Sequence, residues 1–361
     1  MARARRLILH LGHGKTGSTA IQRALFSSPA ALAEAGVLFP NPGRHENHQL
    51  IFPRLWGVLP EEDLQRAALG RSPKAIFEQA ERMWSGLKER IARDRPETVV
   101  LSCENQFQPF PPEAFARLNA ACAEIAETVT VIAYLRSPAP FFLSNVQQDI
   151  KKRPEFRWVS ASRIRDTLEP VLEHGPGPLI ARPYERASLS DGDVVNDFCR
   201  QVLPALDPAA LKRQPDTDNA TVSAEAMRLL QQVFRAERPL PKPYGRDPKG
   251  FRKLLVATDP TVPGMTRPCL HEEVRQIVEA RVTDGDWVAD RLGVRFDDVA
   301  PPGITRDAAE QRFKRLRDID QLCPVDADRQ EALWQAAVAA AARDARPAAR
   351  LARLLRGGPA T

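Results

Sequence analysis

The sequence lacks an apolar run long enough to cross a membrane, and it has few cysteines. A bilayer-spanning helix needs about 20 apolar residues, whereas the N-terminal stretch MARARRLILHLG soon meets a histidine and a glycine. We therefore predict neither a signal peptide nor a transmembrane segment. The five cysteines are widely spaced, without a C-x-x-C pair. This spacing argues against a disulfide framework or a thiolate metal site, and it favours a reduced, cytoplasmic compartment.

Aromatic residues are also scarce, at 6% of the 361 residues, and the formal net charge is only +6. Because no aromatic side chains are interleaved with a basic cluster, nucleic acid is not expected as a partner. A mild positive charge fits an anionic substrate or cofactor instead. Hydrophobic residues (43%) and charged residues (27%) occur at the levels typical of globular proteins with a real core.

Short apolar runs of the buried type alternate with helical patterns. We predict strands at Leu7–Leu11, Thr98–Ser102, Thr128–Leu135 and Leu179–Arg182, and helices at Ser18–Phe26, 73–93, 112–126, 139–151, 160–174, 222–236 and 271–292. This alternation predicts an α/β fold in which a parallel sheet of the P-loop type is flanked by helices, with a helical C-terminal extension. Ligands of such folds bind at the carboxyl ends of the strands, so the loops after Leu11, Ser102 and Leu135 should face one cleft.

Composition divides the chain into three segments. Residues 1–203 form the predicted catalytic core, and 204–328 a helical part packed on it. Residues 329–361 form a basic tail rich in alanine and arginine, which we expect to be a solvated helix; the alternative is that it contacts an acidic surface or substrate. Within the core, the irregular, proline-bearing residues 36–72 are predicted to be a loop or lid beside the first helix.

A glycine-rich loop, GHGKTGST, joins the first predicted strand to the first predicted helix. Free N–H groups and the helix dipole favour a phosphate at a helix N-terminus, glycines allow close approach, and Lys15 adds a positive charge. The triphosphate motif G-x-x-x-x-G-K-[ST] would need a glycine where this chain has Leu9. The shorter loop suits a single terminal phosphate; the alternative is an ordinary glycine-rich turn. The candidate binding residues are Gly14, Lys15, Thr16, Gly17, Ser18 and Thr19.

A second anion-binding element is predicted at Arg136 and Ser144. Arg136 stands at the end of a buried strand, where an arginine is costly unless it meets an anion. Ser144 follows on the next predicted helix, which could fold back toward the same phosphate. Together with the first loop, this pair indicates a nucleotide with two separated phosphates. The alternative is that Arg136 forms a salt bridge with a loop carboxylate.

These stretches resemble the PAPS-dependent sulfotransferases, in particular the bacterial group related to carbohydrate sulfotransferases (PAPS is 3′-phosphoadenosine 5′-phosphosulfate). LHLGHGKTGSTAIQ resembles the loop that binds the 5′-phosphosulfate, and YLRSPAPFFLS resembles the arginine–x₇–serine element that binds the 3′-phosphate. VVLSCENQF, IARPYERASLSDGDVVNDF and DNATVSAEAMRLL are weaker matches. The resemblance covers most of residues 6–295, but a clear copy of the third cofactor motif of cytosolic members is missing.

The resemblance implies an enzyme that transfers a sulfuryl group from PAPS, releases PAP and needs no metal. Its acceptor would be a hydroxyl or amine, of a glycan or a small molecule. Lys15 would stabilise the departing phosphate. His48 is the first candidate for the general base and Glu104 the second. His45 and His48 are one residue short of H-E-x-x-H, so no metal site is predicted. The competing interpretations are a P-loop kinase or NTPase and a non-enzymatic nucleotide-binding protein.

Overall fold

The structure is a computed structural model. It describes residues 2–43, 47–59, 72–103, 107–156, 163–213, 221–245, 247–299, 301 and 303–344. The strands are β1 (Ala4–Leu11), β2 (Val37–Leu38), β3 (Thr98–Cys103), β4 (Ala126–Leu135) and β5 (Leu179–Pro183). The helices up to residue 202 are α1 (Ser18–Phe26), α2 (Pro29–Glu34), α3 (Phe52–Trp56), α4 (Pro73–Asp94), α5 (Pro112–Ile125), α6 (Pro138–Ile150), α7 (Ile164–His174) and α8 (Val194–Val202). Those that follow are α9 (Ala224–Phe234), α10 (Pro248–Thr258), α11 (Glu272–Ala280), α12 (Gly285–Leu292), α13 (Arg306–Phe313), α14 (Ile319–Leu322) and α15 (Ala327–Asp344).

The five strands form one parallel sheet in the order β2-β3-β1-β4-β5. The central strand β1 pairs with β3 on one side, where Ile8 lies opposite Val100, and with β4 on the other, where Ile8 lies opposite Thr130. The chain thus passes from one side of β1 to the other after β3. A ligand crevice is expected at such a reversal, at the carboxyl ends of the strands. The predicted α/β fold with a parallel sheet flanked by helices is confirmed.

Side chains alternate between the two faces of the sheet. On β1, Leu7 and Leu9 enter a core that includes residues of α3, α4, α5 and α7. Ile8 enters the opposite core, with residues of α1, α2 and α8. Because helices cover both faces, each strand is apolar on both sides, which explains why the strands appear in the sequence as continuous apolar runs.

Two compact units make up the chain. The first comprises residues 1–137, 162–215 and 282–299 and contains the sheet. The second comprises residues 138–161, 216–281 and 300–361 and has its own helical core, which includes Phe142, Met227, Phe251 and Phe313. The segments of the two units interleave along the chain, whereas the predicted segments 1–203, 204–328 and 329–361 are continuous.

The predicted helix at 271–292 is wrong, because it is two helices. α11 ends at Ala280 and α12 begins at Gly285. Residues 281–284 lie between them, and after Arg281 come three weak helix formers, Val282, Thr283 and Asp284, followed by Gly285. The buried carboxylate of Asp284 also accepts a hydrogen bond from the Arg165 N–H at 3.2 Å, which fixes the break.

Two irregular or solvated segments are more ordered than predicted. Residues 36–72 contain β2, the 3₁₀ turn His48–Leu50 and the helix α3, since short apolar stretches there reach the core. The tail begins with α15, which buries Leu333, Ala337 and Ala341. Their four-residue spacing forms an apolar stripe, so this part of the tail packs into the helical core of the second unit through one face. The remainder of the predicted basic tail, residues 345–361, lies outside the described residues. In the described part of the chain, no helix combines the length and the apolar character that a membrane span requires.

Candidate anion-binding site

The loop after β1 has an unusual backbone conformation. Its first residue, Gly12, donates its N–H to Cys103 O at the end of β3 (3.4 Å), and Thr16 Oγ1 donates to His13 O at 2.5 Å. Lys15 (φ 70°) and Gly17 (φ 76°) are both left-handed. A non-glycine residue in this region is uncommon, and left-handed residues occur in the concave turns whose N–H groups bind anions.

The N-terminus of α1 keeps polar groups available. No side chain caps this helix within the described residues, and the backbone bonds begin with the Ala20 and Ile21 N–H groups donating to Gly17 O. The Ser18 hydroxyl is buried, and in the described part of the chain nothing forms a hydrogen bond with it. Because buried hydroxyls almost always have a partner, an oxygen of a bound anion fits here.

Gly17 allows two other elements to approach the loop closely. A Cβ at this position would lie 2.7 Å from Val194 Cγ1 at the start of α8 and 3.2 Å from Tyr184 Cε2 just after β5. The glycine is therefore required both for its left-handed backbone and for space.

Arg136 directly follows β4, as predicted, and supports the same loop. Its guanidinium NH1 donates to Lys15 O at 3.1 Å, and its backbone N–H donates to His13 Nδ1 at 3.3 Å. The guanidinium also lies over the Tyr184 ring, 5.9 Å from the centroid. Burial lowers the pKa of Arg136, whereas Tyr184 and Asp298 raise it. A second cationic group thus adjoins the loop, while Ser144 lies half-buried on α6 in the second unit.

His13 acts as a support inside the loop. It is buried, its ring packs on Phe107 with 4.7 Å between centroids, and its Nδ1 accepts the Arg136 N–H. Burial, with the charge of Arg136 as the smaller cause, lowers the pKa of His13 to about 3. The imidazole is therefore neutral and positions the two cationic elements relative to each other.

His48 is completely buried. The Ser102 N–H donates to its Nδ1 at 3.0 Å, and Nε2 lies 2.9 Å from Pro40 O. Nδ1 therefore accepts, and Nε2 carries the proton. Burial is the main cause that lowers the pKa of His48 to about 4. In this conformation its basic lone pair is already occupied, and the ring links three segments of backbone.

The side chain of Ser102 is also fully engaged. Gln22 Nε2 donates to Ser102 Oγ at 2.9 Å, and Ser102 Oγ lies 2.8 Å from His10 Nδ1. These groups tie β1, β3 and α1 together directly beneath the loop. They serve to position it.

Two predicted residues, Glu104 and His45, lie outside the described residues; in the sequence Glu104 directly follows Cys103, the last residue of β3. Where the structure describes the chain, no group of three or more His, Cys, Asp or Glu side chains could hold a metal ion.

Sequence reasoning missed four residues beside Arg136: Ser137, Tyr184, Glu185 and Asp298. Tyr184 and Glu185 follow the end of β5, so the rule about the carboxyl ends of parallel strands could have identified them. Asp298 accepts a hydrogen bond from Ser137 Oγ at 2.9 Å, and no local pattern connects residues so distant in sequence. In comparisons with known proteins, no family model and no curated sequence matches this chain.

Proposed function

We propose that this chain is a PAPS-dependent sulfotransferase with a P-loop-type core, and that it transfers a sulfuryl group to a hydroxyl or amine. The observation that carries the proposal is the buried Ser18 hydroxyl, which lacks a partner among the described residues and lies at the N-terminus of α1. The resemblance of LHLGHGKTGSTAIQ and YLRSPAPFFLS to the family supports the choice of ligand.

The loop between β1 and α1 would hold the 5′-phosphate. The backbone N–H groups of residues 16–19 and the hydroxyls of Ser18 and Thr19 would be the donors, and Gly14 and Gly17 would let the backbone come close. The Thr16 hydroxyl donates to His13 O and would support the loop. Lys15 would neutralise charge on the departing phosphate oxygen, which is the main demand of an in-line transfer. PAPS would supply the activated sulfuryl group.

Arg136 would bind the 3′-phosphate. Its guanidinium adjoins the loop without being part of it, so it addresses a second, separate phosphate. A nucleoside triphosphate has its phosphates in one row, whereas two separate anion sites suit a 3′,5′-bisphosphate.

Of the two candidate bases, Glu104 is favoured. His48 would have to give up the hydrogen bond from the Ser102 N–H before it could accept a proton. Glu104 comes immediately after β3, whose end is bonded to Gly12 of the loop. The base would remove a proton from the acceptor, for which the resemblance suggests a carbohydrate or glycoconjugate. The mechanism requires no metal. The five cysteines are free thiols, which supports a cytoplasmic enzyme.

A thermal-shift experiment with PAP, AMP and ATP, each with and without Mg²⁺, tests the cofactor. PAP at 100 times its Kd should add about 2.7 kcal/mol of stability, independently of Mg²⁺, and AMP should shift the protein much less. Equal shifts with AMP and PAP would contradict the two-phosphate site. A larger shift with ATP and Mg²⁺ would favour a P-loop kinase or NTPase.

The transfer itself is tested with radiolabelled PAPS and a panel of sugar, amine and small-molecule acceptors. Incorporation of label into any acceptor, lost in Lys15→Ala, supports the enzyme. Binding of PAP without transfer to any acceptor would favour a non-enzymatic nucleotide-binding protein.

A further inference from the structure

Arg136 already has an anionic neighbour in the chain itself. The next residue, Ser137, is buried, and its hydroxyl donates to Asp298 Oδ2 at 2.9 Å. The negative charge of Asp298 raises the pKa of Arg136 against the effect of burial. Asp298 lies in the stretch after α12, which belongs to the same unit as the sheet. A carboxylate is therefore held at the place where a ligand's anion would approach.

A second carboxyl group faces the first. Glu185 follows Tyr184 at the end of β5, and its Oε1 is buried without a donated hydrogen bond from the described residues. Burial is the largest cause that raises the pKa of Glu185, and the negative charge of Asp298 adds to this. Two carboxyl groups can hydrogen-bond to each other only when one carries a proton.

Other polar and charged groups lie near this pair and near Arg136. The Asp297 N–H donates to Glu185, and the Asp297 carboxylate adds a weaker repulsion. Tyr184 packs beside Arg136, while His13, on the other side, has a pKa lowered to about 3 and is uncharged near neutral pH. Among these groups, Arg136 is the cation whose pKa the charge of Asp298 raises. An anion that binds Arg136 competes with the pair for its charge.

We propose that Glu185 and Asp298 form a proton-accepting carboxyl pair coupled to anion binding at Arg136. When an anion engages the guanidinium, the pair takes one proton from solvent and changes from two negative charges to one. The proton is then shared between Glu185 Oε1 and the Asp298 carboxyl. This deepens the proposed function, because the 3′-phosphate is the anion that it assigns to Arg136; nucleotide affinity should then rise as the pH falls.

Isothermal titration calorimetry of the full-length chain, in two buffers with different ionisation enthalpies, counts the protons taken up. Sulfate is the first probe, because it does not titrate near neutral pH; PAP and AMP are the second and third. For the unchanged chain we expect proton uptake when sulfate or PAP binds. The affinity for both ligands should rise as the pH falls from about 8 to about 5.5. AMP should show little of either.

Glu185→Gln is the decisive variant, because an amide keeps the donor to Asp298 and holds the pair in its singly charged form. It should bind PAP roughly 5- to 30-fold more tightly near pH 8 and lose the proton uptake. Asp298→Asn should lose the uptake as well. Asp297→Asn removes an adjacent, exposed carboxylate and should behave like the unchanged chain.

The outcomes separate this proposal from the proposed function. If PAP binds no better than AMP but sulfate binding keeps its pH dependence and its response to Glu185→Gln, the nucleotide assignment fails and the pair stands. If PAP binds better than AMP but no proton is taken up, and Glu185→Gln changes nothing, the pair is refuted. Absence of any anion binding that depends on Arg136 also refutes it.

Discussion

Replacing Gly17 by alanine tests whether the loop geometry depends on this glycine. Gly17 is left-handed, at φ 76°, and precedes the first residue of α1. The added Cβ would lie 2.7 Å from Val194 Cγ1 and 3.2 Å from Tyr184 Cε2. The substitution therefore combines a backbone cost with a steric cost, and the chain offers one control with the backbone cost alone and one with neither cost.

The two costs can be estimated separately. A left-handed conformation costs a non-glycine residue roughly 1–2 kcal/mol, and an overpacked methyl group typically costs about 1–3 kcal/mol. Alanine also restricts the unfolded chain, which stabilises the folded state by about 0.4–1 kcal/mol. We therefore expect Gly17→Ala to lower the free energy of unfolding by roughly 2–4 kcal/mol. PAP affinity should fall as well, because the N–H groups of the loop are displaced.

Urea denaturation of three variants checks this reasoning. Gly293 is left-handed, at φ 65°, with open space around its Cβ, so Gly293→Ala measures the backbone cost alone. Gly86 lies inside α4, and nothing is within 4 Å of its Cβ, so Gly86→Ala should stabilise by about 0.5–1 kcal/mol. If Gly17→Ala costs no more than Gly293→Ala, the close approach of Val194 and Tyr184 has no energetic role.

Three further predictions concern charge and protonation. Arg136→Ala should weaken PAP binding on the order of 10- to 100-fold and leave AMP nearly unaffected; calorimetry that finds both weakened alike would make Arg136 a support of the loop only. Glu104→Gln should lower kcat by about 10²–10⁴-fold in a steady-state assay. His48→Ala, once shown to be folded, should keep kcat within about tenfold in the same assay. The opposite pattern would assign the base to His48. Burial lowers the pKa values of His10 and His48 to about 4 from 6.5. Between these two pH values the unfolded state binds more protons, so the free energy of unfolding falls as the pH drops, by up to about 3 kcal/mol for each ring. Equal urea midpoints at about pH 7 and pH 5 would contradict the buried, neutral rings.

The sequence predicted the parts of the fold that have strong local patterns. β1 and α1 are adjacent, joined by a short loop, and apolar at the expected period, so α1 was placed at Ser18–Phe26, where the structure has it. The position of Arg136 followed from the same logic, since its strand is continuously apolar. β2 was missed because a strand of two residues, Val37–Leu38, has no period to detect.

Other features of the site depend on contacts that are remote in sequence. The segment just before His48 is polar, but Leu50, Ile51 and Phe52 directly after it are buried. Their burial places the turn at His48 in the interior. The imidazole is consequently enclosed. The bond between Ser137 and Asp298 likewise joins positions with no local relation. Tertiary packing determined both arrangements, and the local secondary-structure propensity of the residues carries no information about them.

The central position of β1 has a consequence for the newly made chain. Arg6 of this strand pairs with Thr98 and Thr128, which leave the ribosome about 90 or more residues later. At synthesis rates of about 5–20 residues per second, β1 waits roughly 5–20 s for its first neighbour in the centre of the sheet. Its leucines are exposed for that time, which makes the nascent chain a natural client for chaperones that bind apolar segments. The candidate anion site is completed later still, when Tyr184 arrives to pack beside Gly17. Under the proposed function, a nucleotide would therefore stabilise the protein only after most of the first unit has been made.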